Sequence, residues 1–243
     1  MAQPITQLTI DTLFDIGAHF ARSRSRRHPS AEKYIFGNKD ANDIFDLMQT
    51  SACLEKALTE VTKAAREGKQ ILFIGGKPEV AATVKAAAER VGAPYVAGRW
   101  VGGTLTNFKQ IRKRINRLEM LIQEKERGDL EKYTKHERLL IDREIEKLDH
   151  RFHGLVDMRE IPAILFVVDT HFEHIAVSEA MHMNVPVIGL SNSDCDFADS
   201  TYPIPANTSS IKSVSYFVHA VADAYWAYKK TVAPTGKSRN KKV

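Results

Sequence analysis

Four short, almost unbroken apolar runs constrain this chain more than any other feature: Ile71-Leu72-Phe73-Ile74, Tyr95-Val96, Ala163-Ile164-Leu165-Phe166-Val167-Val168 and Val185-Pro186-Val187-Ile188-Gly189-Leu190. They are too short for core helices and lack the polar alternation of a half-exposed strand, so each reads as a strand covered on both faces. Helical patterns fill the gaps. Pro78 to Val91 is alanine-rich with proline at its start, and Phe172 to Met183 occupies the matching place between the later strands. Strands alternating with helices of this length predict an α/β fold with a mostly parallel sheet flanked by helices. Tyr202-Pro203-Ile204-Pro205 suits an edge strand, where proline is tolerated. Ser209 to Lys230 closes the fold as an amphipathic helix with Ile211, Val214, Val218, Val221, Ala222 and Tyr225 on one face.

One segment interrupts the alternation. From Thr104 to about His153 no strand is signalled, and Ile111, Ile115, Leu118 and Ile122 recur at helical steps before Gly128-Asp129. Leu140, Ile141, Ile145, Leu148 and Phe152 then continue at similar steps. Two helices about a glycine-containing turn are expected to fold back as an antiparallel hairpin with one narrow apolar seam. With 243 residues the chain accommodates one well-buried domain with an appendage. The expected division is residues 1–103 and 154–233 as one α/β domain, 104–153 as an inserted helical hairpin, and 234–243 as a basic disordered tail.

Two stretches point toward an anionic partner. Gly98-Arg99-Trp100-Val101-Gly102-Gly103-Thr104-Leu105-Thr106-Asn107-Phe108 is a glycine-loosened turn running into the basic helix Lys109-Gln110-Ile111-Arg112-Lys113-Arg114. Such a turn can set several backbone N–H donors and positive charges against one anion, and nucleic acid is the polyanion suggested. At least one of Thr104, Thr106 and Asn107 is expected to cap the helix, the alternative being bonds to RNA oxygens. Trp100 either stacks on a base or packs between sheet and hairpin. The second stretch, Arg22-Ser23-Arg24-Ser25-Arg26-Arg27-His28-Pro29-Ser30, follows a helical face of Leu8, Ile10, Leu13, Phe14 and Ile16 and carries no apolar side chain. It reads as a solvated loop or as a phosphate-binding loop that orders on contact. A helix from Ile44 to Arg66 leads back to the sheet. The net charge of +5 agrees with an anionic partner without selecting one.

Enzyme chemistry is not assembled. Gly75-Gly76-Lys77-Pro78 follows a strand where a phosphate loop would lie, yet it matches neither phosphate-loop pattern, and Pro78 lacks an N–H. A structural turn is expected there. His150/His153 and His171/His174 lack companion cysteines or an H-E-x-x-H pattern, so no metal site is assigned. Asp169, Asp194, Asp196 and Asp199 are either carboxylates at strand ends, where α/β enzymes keep them, or caps of helices and turns. Cys53 and Cys195 are expected to be reduced thiols of a cytoplasmic protein. Neither a signal-type N-terminus nor a membrane-length apolar run is present, and no membrane partner is expected. No catalytic residue, cofactor or small-molecule substrate is assigned; the alternative retained is a nucleotide- or sugar-phosphate-binding enzyme on a doubly wound sheet.

Arg99 to Phe108 followed by Ile111-Arg112-Lys113 resembles the signature of the bacterial-type small-subunit ribosomal protein S-two family. Further similarities follow in order: Gly17-Ala18-His19-Phe20, Tyr34-Ile35-Phe36-Gly37, Ile71 to Gly75, Pro94-Tyr95-Val96, Phe166 to Asp169, Glu173 to Val177, and Glu179-Ala180. The resemblance implies a Rossmann-like sheet with a protruding coiled-coil hairpin, lodged on small-subunit rRNA near the junction of head and body. It implies no catalysis, and it implies neighbouring ribosomal proteins as partners, including protein S-one. On this reading Arg22, Arg24, Arg26 and Arg27 form one RNA-facing group. Arg99, Trp100, Thr104, Asn107, Lys109, Arg112, Lys113 and Arg114 form another at the hairpin base. Arg27 stands at the family's tryptophan position, Phe197 at a usual proline, and Thr208-Ser209 at a usual acidic pair.

Overall fold

A computed structural model describes residues 10–229. In chain order it contains α1 (Ile10–Asp15), β1 (Phe20–Ser23), β2 (Ile35–Lys39), β3 (Asn42–Phe45), α2 (Leu47–Arg66), β4 (Ile71–Ile74), α3 (Pro78–Val91) and β5 (Tyr95–Val96). There follow α4 (Phe108–Glu126), α5 (Lys135–Phe152), β6 (Ile164–Val168), α6 (His174–His182), β7 (Val187–Ser191), β8 (Tyr202–Pro205) and α7 (Ile211–Lys229). The expected tail at 234–243 and the apolar position Leu8 lie outside the described residues.

Strands β5-β4-β6-β7-β8 form one wholly parallel sheet in that order, the Rossmann-like α/β arrangement expected. The period of two along each strand divides the core. Ile71, Phe73, Phe166, Val168, Ile188 and Leu190 face one layer with α2, α3 and α7. Leu72, Ile74, Leu165, Val167 and Val187 face the other, covered by Ala176, Val177 and Ala180 of α6 and by Ile111, Ile115, Leu118 and Phe152. The seam between α4 and α5 is therefore continuous with the second face of the sheet. Ile141, Ile145, Leu148 and Phe152, spaced four, three and four apart, follow one helical stripe and pack into it. Leu140 falls outside that stripe and is exposed, contrary to expectation.

The N-terminal part departs most from the sequence reading. Residues 20–45 contribute a separate antiparallel sheet, β1-β3-β2. Its hairpin turns at Asp40 and Ala41, both at positive φ (51° and 64°), a conformation that hairpins require but that asparagine-glycine signals far more clearly. Only Leu13 of the expected helical face is buried in α1, and Ile10 and Phe14 are exposed. α2 begins at Leu47 rather than Ile44, because Ile44 and Phe45 are paired in β3 and Asp46 caps the helix by accepting the Met48 N–H at 2.9 Å. Replacing Asp46 with alanine is expected to cost about 1 kcal/mol. Chemical denaturation should show a lower midpoint with an unchanged slope.

Candidate nucleic-acid interface

Between β5 and α4 the backbone coils tightly, with Gly103 at φ +87°. Its inward-pointing donors converge on one side chain, Glu179 of α6. Gly103 N–H donates to Oε1 at 2.7 Å, Leu105 and Thr106 N–H donate to Oε2 at 3.0 and 3.2 Å, the Thr106 hydroxyl reaches Oε2 at 3.2 Å, and the Trp100 indole N–H reaches Oε1 at 3.0 Å. Burial by itself would raise the Glu179 pKa, but the donors from Trp100, Gly103, Leu105 and Thr106 outweigh it and hold the carboxyl below its ordinary range. The anion expected for this turn is thus internal, which corrects the assignment of those amides to nucleic acid. The sequence names Glu179 only as a point of resemblance and assigns it no partner, although a glutamate between the buried Val177 and Ala180 is the kind of buried polar residue that signals a fixed one.

The predicted residues around the turn consequently divide. Trp100 is buried with its N–H committed, which favours packing over base stacking. Thr104 is fully buried and donates its hydroxyl to the Val101 carbonyl at 2.6 Å. Asn107 occupies the position before α4 and is exposed, yet none of Thr104, Thr106 and Asn107 caps the helix through its side chain. The Asn107 carbonyl accepts the Gln110 N–H instead. Arg112 is largely buried and donates to the Val156 and Met158 carbonyls and to Glu119, tying α4 to the chain beyond α5. Arg99, Lys109, Lys113 and Arg114 are exposed and form no ion pair among the described residues.

The arginine-rich segment also divides. It is folded, with Arg22 and Ser23 in β1 and Arg24–Arg26 in a single 3-10 turn, rather than a loop awaiting a partner. The Arg22 N–H donates to Asn192 Oδ1 and Ser193 Oγ, and its guanidinium lies 3.5 Å from Asp194. Arg27 lies 3.7 Å from the wholly buried Asp43 of β3. Only Arg24 and Arg26 remain exposed without an acidic partner among the described residues.

At the C-terminal end of the sheet, where doubly wound folds usually take ligands, a cleft of about 360 Å³ is lined by Arg22, Lys77, Phe172 and Thr208, and the charges beneath it are paired with one another. Lys77, after β4, pairs with Asp169, after β6, and Asp169 also accepts from the Thr208 hydroxyl (2.8 Å) and the Phe172 N–H (3.1 Å). Burial opposes ionisation of Asp169, and Lys77 with the other donors overrides it, so the pKa is lowered. Glu173 accepts the Gly76 N–H at 2.7 Å, with its pKa raised by burial. A Cβ on Gly76 would lie 2.5 Å from that carboxylate and 2.6 Å from the Gly98 carbonyl, so the glycine is a requirement of close packing. Asp196 caps a short turn through the Ala198 N–H. The strand-end carboxylates Asp169, Asp194 and Asp196 therefore serve internal pairing and capping. Among the described residues no three His, Cys, Asp or Glu side chains converge as metal ligands, and both thiols are free.

Residues 13–227 match the profile of the family described as Ribosomal protein S2. The chain belongs to the ribosomal protein S2 family. It is similar to small ribosomal subunit protein uS2 of Nocardia farcinica, with 40% identity over 217 residues, covering 89% of this chain and 76% of the relative. The uS2 of Sulfurimonas denitrificans is 40% identical over 89% of this chain and 84% of its own length, and that of Mycobacteroides abscessus 38% over 89% and 78%. In this S2-family chain, the signature run from Arg99 to Phe108 is thus held by a buried carboxylate. Glu179→Ala should leave three backbone N–H groups unsatisfied and destabilise the fold by about 3 kcal/mol. Because the Glu179 pKa is depressed, its contribution is full above the ordinary glutamate range and fades as pH falls through the lower folded value. In a pH series of denaturant melts, the stability gap between the parent and Glu179→Gln should accordingly narrow in acid and stay constant near neutrality.

Proposed function

We propose that this chain is a structural constituent of the small ribosomal subunit, in the cytoplasm, and binds small-subunit rRNA near the junction of head and body without catalysing a reaction. The observation that carries this reading, beside the family, is the separation of positive charge into internal and outward groups. Arg22, Arg27 and Arg112 are engaged by Asp194, Asp43 and Glu119, whereas Arg24 and Arg26 on one side and Arg99, Lys109, Lys113 and Arg114 on the other face solvent without acidic partners among the described residues. Outward arginines and lysines on a fixed frame suit phosphate contacts, which position RNA through charge. Trp100, Thr104 and Arg112 shape that surface from beneath, and Asn107 remains able to bond an RNA oxygen. Residues 104–153 act in this reading as a helical insert of the α/β domain.

Contact with neighbouring proteins, including the anchoring of ribosomal protein S-one, is supported by an apolar cleft of about 540 Å³ beside the small sheet. Phe36 (81% exposed), Met48 (68%), Phe14 (60%) and Phe20 (52%) line it together with His19. So many large apolar side chains at one surface mark a protein-docking region. The competing enzyme reading meets an internally paired Lys77 and two buried carboxylates, Asp169 and Glu173, at the crevice where a phosphate would have to sit.

Sedimentation of the full chain with small subunits should show co-migration that loosens as salt rises. Arg24→Ala/Arg26→Ala should keep the parent melting temperature and lower the salt dependence of rRNA binding by about two contacts. Arg27→Ala should instead lower stability by about 2 kcal/mol, since it strands the buried Asp43 charge. Salt-independent recovery at the top of the gradient would refute the ribosomal placement. Phe14→Ala/Phe36→Ala should reduce S-one retention while leaving rRNA binding intact.

A further inference from the structure

The chain after α5 passes against β5 at Gly154, where a Cβ would lie 2.3 Å from the Tyr95 carbonyl and 2.7 Å from its ring. Only glycine permits that approach, and it brings the last turns of α5 beside the start of the Gly98–Phe108 turn. Arg151 then lines two adjoining clefts. One, of about 290 Å³, also presents Lys85, Arg99 and His150. The other, of about 630 Å³, presents Asn107, Gln110, Arg114 and Lys147.

The charges lining these clefts are unevenly spent. Arg99, Arg114, Lys147 and Arg151 are exposed and have no ion pair among the described residues, and Lys85 has only a loose contact with Glu89 at 3.9 Å. Of the two acids that border the clefts, Glu144 is paired with Arg117 at 3.4 Å, and Asp149 hydrogen-bonds with the His153 ring at 2.9 Å, a contact that cancels charge only with a protonated imidazole. Further along the hairpin, Lys125 is likewise paired with Asp142. Lys85, Arg99, Arg114, Lys147 and Arg151 thus outnumber the acids Asp149 and Glu144 at the hairpin base, beside the uncharged donors Asn107 and Gln110.

We infer that Arg151 and Lys147 of α5 form the centre of a two-cleft site for an RNA sugar-phosphate strand, joining Arg99 in one cleft to Arg114 in the other. This rests on the rRNA-binding reading and adds to it a helix that the signature turn does not include. Arginine presents a planar fork of donors to phosphate oxygens, and a residue shared by two clefts can meet consecutive parts of one backbone. Asn107 and Gln110 supply the neutral donors that sugar hydroxyls and phosphate esters accept.

The test uses the full chain and protein-free small-subunit rRNA, with affinity measured across a salt series for the parent, Lys147→Ala/Arg151→Ala, and the control Lys135→Ala/Arg138→Ala at the other end of α5. All four positions are exposed and alanine favours helix, so thermal melts should coincide. The expected result is about tenfold weaker binding at moderate salt for Lys147→Ala/Arg151→Ala, with a salt slope reduced by about two, and a control close to the parent. A parent that binds with salt dependence while Lys147→Ala/Arg151→Ala matches it in affinity and slope overturns this inference alone. Equal losses in the control also overturn it, since they would show generic charge attraction. A parent that fails to bind rRNA with salt dependence overturns the rRNA-binding reading together with it.

Discussion

One buried carboxylate organises the turn from which α4 starts. The segment from Trp100 to Thr106 has too many glycines and polar groups to pack by apolar burial alone, and its amides lie where no strand or helix can accept them. Glu179 satisfies them together from across the sheet's second face. A carboxylate is suited to this because it is acceptor-only and carries several lone pairs, so it meets converging donors without presenting a competing hydrogen. The start of α4 inherits its position from that contact, and Arg112 repeats the device from the other side by donating to carbonyls beyond α5. The start of α4 is therefore fixed at two charged points as well as by the apolar seam it shares with α5.

The same economy governs the rest of the charge distribution. A doubly wound sheet leaves unsatisfied groups and a crevice at the C-terminal ends of its strands, and enzymes fill that crevice with substrate or cofactor. Here Lys77, Asp169 and Thr208 bond to one another and Glu173 accepts the Gly76 N–H, so the groups at its floor are satisfied internally although a cleft remains above them. The scaffold's capacity for holding an anion is turned inward at two places, Asp169 and Glu179. The charge left facing outward is carried by surface side chains, among them those that line the two clefts at the start of α4 and the end of α5.

The parallel sheet was legible because two-sided burial writes itself into consecutive apolar residues, as at Ile71 to Ile74 and Ile164 to Val168. The helices α4 and α5 were legible because three- and four-residue apolar steps persist through a strongly polar sequence. The small antiparallel sheet was not. Its strands pair through backbone, β1 carries arginine and serine, and the Asp40-Ala41 turn lacks the residues that usually announce a hairpin. The candidate site was legible as a list of positive residues, but not as a division among them. Which arginines face out is decided by Asp43, Asp194 and Glu119, of which Asp194 is far away in sequence from the arginine it holds and Asp43 is in the next strand but one. Glu179 shows the same limit, since its partners lie more than seventy residues earlier.

The resemblance implies three departures from the family's pattern, and the surroundings of those residues show how local such decisions are. Arg27, at the tryptophan position, pairs with a buried aspartate, so the substitution adds positive charge without adding it to the outward group. Phe197, at the proline position, is buried against the Tyr34 ring at 4.7 Å and completes the small core with Ala31 and Phe45. Thr208, at the first of two acidic positions, donates its hydroxyl to Asp169, where a second carboxylate would repel the one already paired with Lys77. Each departure is answered by a neighbour in the fold. The outward charge of Arg24, Arg26, Arg99, Lys109, Lys113 and Arg114 is carried by none of the three, and it follows from side chains that have no acidic partner among the described residues.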